Sequence, residues 1–301
     1  MPAQPEVYDE VAYVYDGTLE GLLSAIFAAY ANHEDPSDVV REGVMQPRLA
    51  QRLARIETDV AHADRVRRGL CRACGHQAFS AVRKAALSAR EDAGTAAYRF
   101  VRYAMDSQKK RDCTRCRKRA TCSGAQGRGP CPKQRGRALS DVTHPAVEPL
   151  FRIARAVDQE CEHMRQFIRF EHLRSDEADV WFARCNPRDS VVPLVMGHFV
   201  ERFSIQPFII YDENHHLAGV FDGSTWYLVR TNDPATSLLE LPGHAADEAA
   251  MQQAWKRFYR TVAVESRYNP ELRRHFMPKR FWRNLTEMQE DPQALAVSAR
   301  R

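Results

Sequence analysis

PFIIYDENHHLAGVFDGSTWYLVR, residues 207–230, decides how the chain is built. Three apolar runs, Phe208–Tyr211, Ala218–Phe221 and Thr225–Val229, are separated by the turn formers Glu213-Asn214 and Asp222-Gly223. Short runs rich in aliphatic and aromatic residues between such turns predict three strands of an antiparallel meander. Upstream, Phe167–His172 and Asp179–Arg184 predict a hairpin, and Val191–Phe203 a helix. A further helix begins after Pro145, with Val147, Leu150, Ile153, Ala154, Val157, Cys161 and Met164 recurring on one face. Downstream, Ala246–Ser266 predicts a helix with the stripe Met251, Trp255, Phe258 and Val262, followed by a basic aromatic tail, Arg267–Arg283. A single antiparallel sheet covered by helices is the expected core, an α+β fold.

The first part of the chain reads as mainly helical. A short strand, Val11–Tyr15, runs through Asp16-Gly17-Thr18 into a helix with Leu19, Leu22, Leu23, Ile26, Phe27 and Tyr30 on one face. Thr18 suits the N-cap and Glu20 the first turn. Residues 46–104 continue as helices, with Leu49, Leu53 and Ile56 the first stripe and no strand signal. Cys71-x2-Cys74 falls inside this pattern, either as two partly buried helical thiols or as an alternative ligand pair. The expected organisation is a strand-turn-helix and helical region (1–105), a cysteine-rich basic insertion (106–140), an α+β region packing with the first as one domain (141–290), and a disordered tail (291–301). The longest apolar run, Leu22–Ala31, is far shorter than the roughly 20 residues of a membrane span. With no basic leader before an apolar stretch, a soluble cytoplasmic protein is expected, in which eight cysteines signify thiol or metal chemistry.

The insertion carries the strongest motif, Cys113-x2-Cys116-x5-Cys122-x8-Cys131. Residues 107–139 hold 11 Lys/Arg against the single acid Asp112, and residues 256–283 hold nine against Glu265 and Glu271. The whole chain is only +5, so everything outside these two segments sums to −12. Segregated positive charge of this kind binds phosphate backbones by counterion release. The insertion lacks the apolar side chains for a core of its own, and four thiolates around a metal would supply the staple. Zinc and a [4Fe-4S] cluster both accept four cysteines at such spacing, with a structural rather than catalytic role because no coordination position stays open. The Cys113-x2-Cys116-x5-Cys122 portion resembles the cluster signature of RecB-like iron-sulfur nucleases. Those draw the fourth cysteine from a distant N-terminal position, whereas Cys131 follows closely here, and their carboxylate-lysine motif is not found.

Beyond the insertion, four motifs carry a second resemblance: Tyr15-Asp16-Gly17-Thr18-x-Glu20-Gly21-Leu22-Leu23; Glu162-x-Met164-x-x-Phe167-x-Arg169-Phe170; His198-Phe199-x-x-Arg202-Phe203 with Ile209-Ile210-Tyr211-Asp212; and Arg267-Tyr268-Asn269-Pro270 through Met277-Pro278-Lys279-Arg280-Phe281-Trp282-x-x-Leu285-Thr286-Glu287. Over nearly all of residues 11–288 the chain resembles an uncharacterised bacterial family described as DNA-metabolism or DNA-repair proteins. Members of that family typically sit beside a radical-SAM protein of DNA-repair type, and some are fused to a uracil-DNA glycosylase-like domain. The resemblance implies a radical-SAM partner and a DNA context, but no catalytic residues, and it makes the cysteine insertion an accessory.

The residues themselves supply a candidate surface. Arg115, Arg117, Lys118 and Arg119 in the insertion, Arg169 and Arg202 beside the sheet, and Arg267, Arg273, Arg274, Lys279 and Arg280 in the tail are candidate phosphate contacts. Trp282, with Tyr268, Phe276 and Phe281, offers rings that either stack on unpaired bases or fill the core. Asp16, Glu20 and Asp212, with Glu162 and His163, are the acids and base available for chemistry, or for structural ion pairs. The expected function is binding of DNA, single-stranded or damaged, on behalf of the radical-SAM partner. A DNA-processing enzyme, glycosylase or nuclease, using Asp16, Glu20 or Asp212 is the alternative, and a non-DNA-binding assembly protein a third.

Overall fold

The computed structural model describes residues 10–44, 48, 51–109, 117–122, 126, 137–176, 178–231 and 243–288. Its contacts divide the chain into two compact units, Met1–Val157 and Asp158–Arg301.

The first unit opens with β1 (Glu10–Tyr15) and α1 (Leu19–Ala31), joined at Thr18, whose hydroxyl oxygen accepts the Gly21 N–H at 2.9 Å. This cap satisfies one of the amides that a helix start leaves without an intrahelical partner. Strands β2 (Asp38–Arg41) and β3 (Gln51–Arg55) lie on either side of β1, both parallel to it, in the order β2-β1-β3. Helices α2 (Val60–Cys74), α3 (His76–Leu87) and α4 (Ala93–Lys109) follow, then the short α5 (Arg137–Ser140). Their buried faces join α1 and the strands in one core containing Tyr13, Leu22, Ile26, Leu70, Tyr98 and Phe100.

The helical reading of residues 46–56 is corrected by β3. Leu53, the centre of the expected apolar stripe, is 45 % exposed, whereas Gln51 is buried. The Gln51 amide donates to Ser37 Oγ at 3.0 Å and to Asp38 Oδ2 at 2.9 Å. A polar residue pinned by side-chain bonds places this strand, which is why apolar spacing misread it. The first region is therefore not purely helical but a small parallel sheet with helices.

Helix α6 (Glu148–Phe167) crosses the boundary between the units, and all seven residues expected on its apolar face are buried. The second unit contains β4 (Glu171–Arg174), β5 (Asp179–Cys185), α7 (Val192–Phe203), β6 (Phe208–Asp212), β7 (Leu217–Phe221) and β8 (Trp226–Arg230). It closes with α8 (Glu248–Val262), α9 (Pro270–Phe276) and 3-10 turns at Lys279–Asn284 and Thr286–Met288. The hairpin β4-β5 and the meander β6-β7-β8 are antiparallel, but β5 and β6 pair in parallel, with Trp181 opposite Phe208 and Cys185 opposite Asp212. The single antiparallel sheet is thus replaced by two sheets, one parallel and one mixed. The reason is α7: a helix between two strands carries the chain back to the end where it started, which makes the strands parallel.

Strands β6 and β7 are buried along their whole length. Helix α7 reaches them because Gly219 leaves room; a Cβ there would lie 2.4 Å from Met196 Sδ and 2.9 Å from Val192 Cγ1. Among the described residues no helix is long and apolar enough to cross a membrane.

Candidate nucleic-acid interface

A groove of about 880 Å³ runs along the second unit. Its lining is aromatic because Phe170, in the segment between α6 and β4, meets two phenylalanines of α7. Phe170 packs 5.5 Å from Phe199 and 4.6 Å from Phe203, ring centre to ring centre. One wall is the His172 imidazole stacked on Trp181, at 4.6 Å with an interplanar angle of 10°. Helix α8 lines the groove through Met251 and Trp255. Arg165, Arg169 and Arg202 line the same groove, as do the acids Asp247 and Glu248. Glu248 is buried and already engaged, accepting from the His172 N–H at 2.9 Å and the Gln252 amide at 2.9 Å.

Trp255 is held as a platform. Its Nε1–H donates to Glu287 Oε2 at 3.0 Å, while the Arg169 guanidinium bonds Glu287 Oε1 at 2.6 Å and lies 5.2 Å from the indole centre. The ring, 40 % exposed, is fixed in orientation by the buried carboxylate beneath it. Arg202 is exposed and makes no ion pair among the described residues. Arg165 bonds Glu162, yet its Nε is buried without a hydrogen-bond partner.

At the opposite ends of β5 and β6 lies a polar cluster. Asp212 is fully buried; its Oδ2 lies 2.6 Å from His215 Nδ1, and its Oδ1 accepts the N–H of Asn214 at 3.0 Å and of His215 at 3.2 Å. Cys185, opposite Asp212, has its thiol pushed well up, first by burial and then by the carboxylates of Asp212, Glu213 and Glu160. Glu160 is buried, accepts the Arg188 N–H at 2.7 Å, and pairs with Arg280 through both Nε and a terminal nitrogen. His163 sits beside that pair, 3.6 Å from Glu160 Oε2.

Several expected contacts are therefore committed inside the fold. Arg280 and Arg169 neutralise buried carboxylates, Arg283 pairs with Glu213, and Phe281 is core. Trp282 is half-buried, with Arg273 at 5.1 Å and Lys279 at 5.9 Å from its ring and its Nε1–H donated to the Met277 carbonyl at 3.0 Å. Arg267 and Arg274 are exposed, the latter donating to the Pro270 carbonyl at 3.1 Å. The structure brings Arg169 and Arg202 into one groove, and Arg273, Lys279 and Trp282 into one cluster.

In the first unit, Asp16 accepts the Thr18 amide at 2.9 Å, the Thr18 hydroxyl at 2.7 Å and the Thr58 hydroxyl at 2.8 Å. Desolvation would raise its carboxyl, but these donors, the Thr18 hydroxyl foremost, hold it below the ordinary value. Asp16 is thus a structural clip at the start of α1, and Glu20 is exposed beside it. Cys71 and Cys74 occupy the last turn of α2; Cys74 is part of the core and Cys71 lies 3.8 Å from His76 Nδ1. Arg117, Lys118 and Arg119 form an exposed turn near Cys122. Cys113, Cys116, Cys131 and Arg115 lie outside the described residues, as does the 291–301 tail. Among the described residues no three His, Cys, Asp or Glu side chains are grouped to hold a metal ion.

Sequence reasoning missed Trp255 as a site residue, and it missed His215 and Glu287. Trp255 stood only in a helical stripe. An Asp followed three residues later by His in a turn was the available signal for His215, whereas nothing local links Glu287 to Arg169, 118 positions earlier.

No curated protein matches the chain. Residues 131–287 match the family described as a domain of unknown function, DUF4130. That stretch contains the groove, the Asp212–His215 pair and both buried arginine–glutamate pairs, and it begins at Cys131. The chain belongs to the DUF4130 family.

Proposed function

We propose that this protein binds single-stranded or distorted nucleic acid in the groove of its second unit, as a DNA-repair or DNA-metabolism factor working beside a radical-SAM protein. The observation that carries the reading is Trp255, an exposed indole locked by Glu287 and Arg169 at the edge of an aromatic groove. An oriented ring supplies a stacking face for an unpaired base without further loss of side-chain freedom, and stacking is worth about 1–3 kcal/mol per base. Arg202 supplies charge for the backbone, with the exposed tail cations Arg267 and Arg274 in the same unit, and the exposed Arg117–Lys118–Arg119 turn of the first unit is a separate basic element. A metal on the four insertion cysteines, zinc or [4Fe-4S], would hold that turn as a basic appendage. The DNA context and the radical-SAM partner rest on the resemblance carried by motifs such as His198-Phe199-x-x-Arg202-Phe203.

The test is a titration of the full chain against labelled single-stranded and duplex oligonucleotides at several salt concentrations. Salt-sensitive binding that prefers the single strand, and that weakens on Trp255→Ala, supports the groove. Absence of salt-sensitive binding removes the reading.

A second reading, that the chain itself processes nucleic acid, is favoured by one observation: Asp212 does not stand alone but fixes an imidazole.

A further inference from the structure

We propose that His215, oriented by Asp212, is the general base of a phosphodiester-cleaving centre at the carboxyl ends of β5 and β6. Three observations carry it. The first is the dyad itself: a carboxylate with no solvent exposure bonded at 2.6 Å to Nδ1 of an imidazole whose side chain is 26 % exposed. With Nδ1–H directed at the carboxylate, the tautomer is set so that Nε2 presents its lone pair. Nε2 has no partner among the described residues. The turn alone does not require this bond, because Oδ1 already accepts the Asn214 and His215 amides while Oδ2 serves the ring.

The second observation is location. The dyad stands at the carboxyl ends of the one parallel pair of the five-stranded sheet, Cys185 and Asp212 being the last residues of β5 and β6. Carboxyl ends of parallel strands are where α/β folds place their reacting groups. The third is charge. Arg188, the residue after Pro187 on the β5 side, is exposed and makes no ion pair among the described residues, whereas Arg283 at the same edge is paired with Glu213. Guanidinium groups suit a substrate that carries phosphate. Cys185 is not the nucleophile, since burial and neighbouring carboxylates keep its thiol protonated. The charged and titratable groups around the strand ends include Glu160 and His163 from α6, Arg188 after β5, Glu213 from the turn, and Arg280 and Arg283 from the 3-10 segment.

The attacking oxygen then belongs to water or to a ribose 2′-hydroxyl. Nε2 takes its proton as the oxygen forms the new P–O bond; the P–O bond to the departing 5′-oxygen breaks, and the imidazolium returns the proton to that oxygen. The inference rests on the nucleic-acid reading above, and binding and cleavage are separable in one experiment.

The full chain is incubated with labelled single-stranded RNA and DNA of one sequence, anisotropy being read for binding and gel mobility for cleavage. The expected result is cleavage that speeds up with pH as one group loses its proton, at least about 100-fold slower in His215→Ala with binding unchanged. Asp212→Asn, which leaves the ring in the wrong tautomer, slows cleavage and alters the pH profile; near-native binding by that variant certifies its fold. Cleavage of RNA alone identifies the 2′-hydroxyl as nucleophile, and cleavage of both identifies water. Binding without cleavage of either strand, or cleavage undiminished in His215→Ala, overturns the proposal and leaves the binding function standing.

Discussion

Arg169 and Trp255 are tied to the same carboxylate: Glu287 receives the guanidinium at 2.6 Å and the indole N–H at 3.0 Å, and the guanidinium lies over the ring. The cation therefore orients a stacking surface and is not itself free for phosphate. Trp255→Ala is expected to weaken single-stranded binding by about 1–3 kcal/mol. Because the indole N–H also serves the buried Glu287 carboxylate, the same substitution should lower stability as well, so the affinity is read where the variant is fully folded. Fluorescence anisotropy of a labelled oligonucleotide, set beside a urea unfolding curve of the same variant, checks both halves.

Arg280 gives the opposite expectation. It pairs with Glu160, which is buried, so Arg280→Ala leaves an uncompensated carboxylate and should destabilise the second unit by about 3–5 kcal/mol. All four tryptophans, Trp181, Trp226, Trp255 and Trp282, belong to that unit, so intrinsic fluorescence in urea reports its unfolding alone. An unchanged midpoint would show that the pair contributes nothing net.

How much of this was legible in the sequence depends on the range of the interaction. The face of α6, the α7 helix and the strands β6 and β7 followed from local apolar spacing and turn residues, because each buries its own pattern; β8 followed from its turn and apolar run, yet its Trp226, Tyr227 and Leu228 are exposed. β3 did not, since Gln51 is placed by hydrogen bonds to Ser37 and Asp38 on another segment. The stripe Met251, Trp255, Phe258 and Val262 was correctly helical, yet all four are at least 40 % exposed. Spacing shows that residues share a face and not what covers it. Of the candidate phosphate contacts, Arg202 remains available, whereas Arg169 and Arg280 are consumed by partners more than 100 residues away, which no local pattern encodes.

Asp16 predicts a pH dependence in the first unit. Its carboxyl is held below the ordinary value in the folded chain, so the stabilisation is present above the unfolded value of about 3.9 and is lost as pH falls through the folded one. Asp16→Asn should therefore loosen the start of α1 at pH 7 and differ less and less from the parent as acid is added. Gly21→Ala should act in the same place at every pH, because a Cβ there would lie 2.1 Å from Asp16 Oδ1. Hydrogen exchange of the Gly21 and Leu22 amides reads both variants.

The cysteine insertion predicts bound metal. Protein purified without oxygen should carry either about one zinc or about four iron atoms per chain, the iron form with a visible absorption shoulder. Cys113→Ser and Cys116→Ser should each abolish it, whereas Cys74→Ser should not, since Cys74 is buried in the core of the first unit. Elemental analysis of the three variants decides, and metal lost on Cys74→Ser alone would move the ligand set to α2.

The salt dependence of binding separates arginines that contact phosphate from arginines that hold the fold. Each cation that neutralises one phosphate of a single strand contributes about 0.7 to the slope of log affinity against log salt. Arg202 lines the groove and has no ion pair among the described residues, so Arg202→Ala should reduce the slope by about 0.7. Arg280 spends its charge on Glu160, and Arg280→Lys, which keeps a cation beside that carboxylate, should leave the slope as it was. A triple substitution of Arg117, Lys118 and Arg119 by Ala should lower it by about 2 if the exposed turn grips the strand, and by nothing if the groove acts alone. Anisotropy titrations across a range of salt supply all three slopes. An Arg202 variant whose slope matches the parent would show that the backbone does not run through the groove, whatever the affinity.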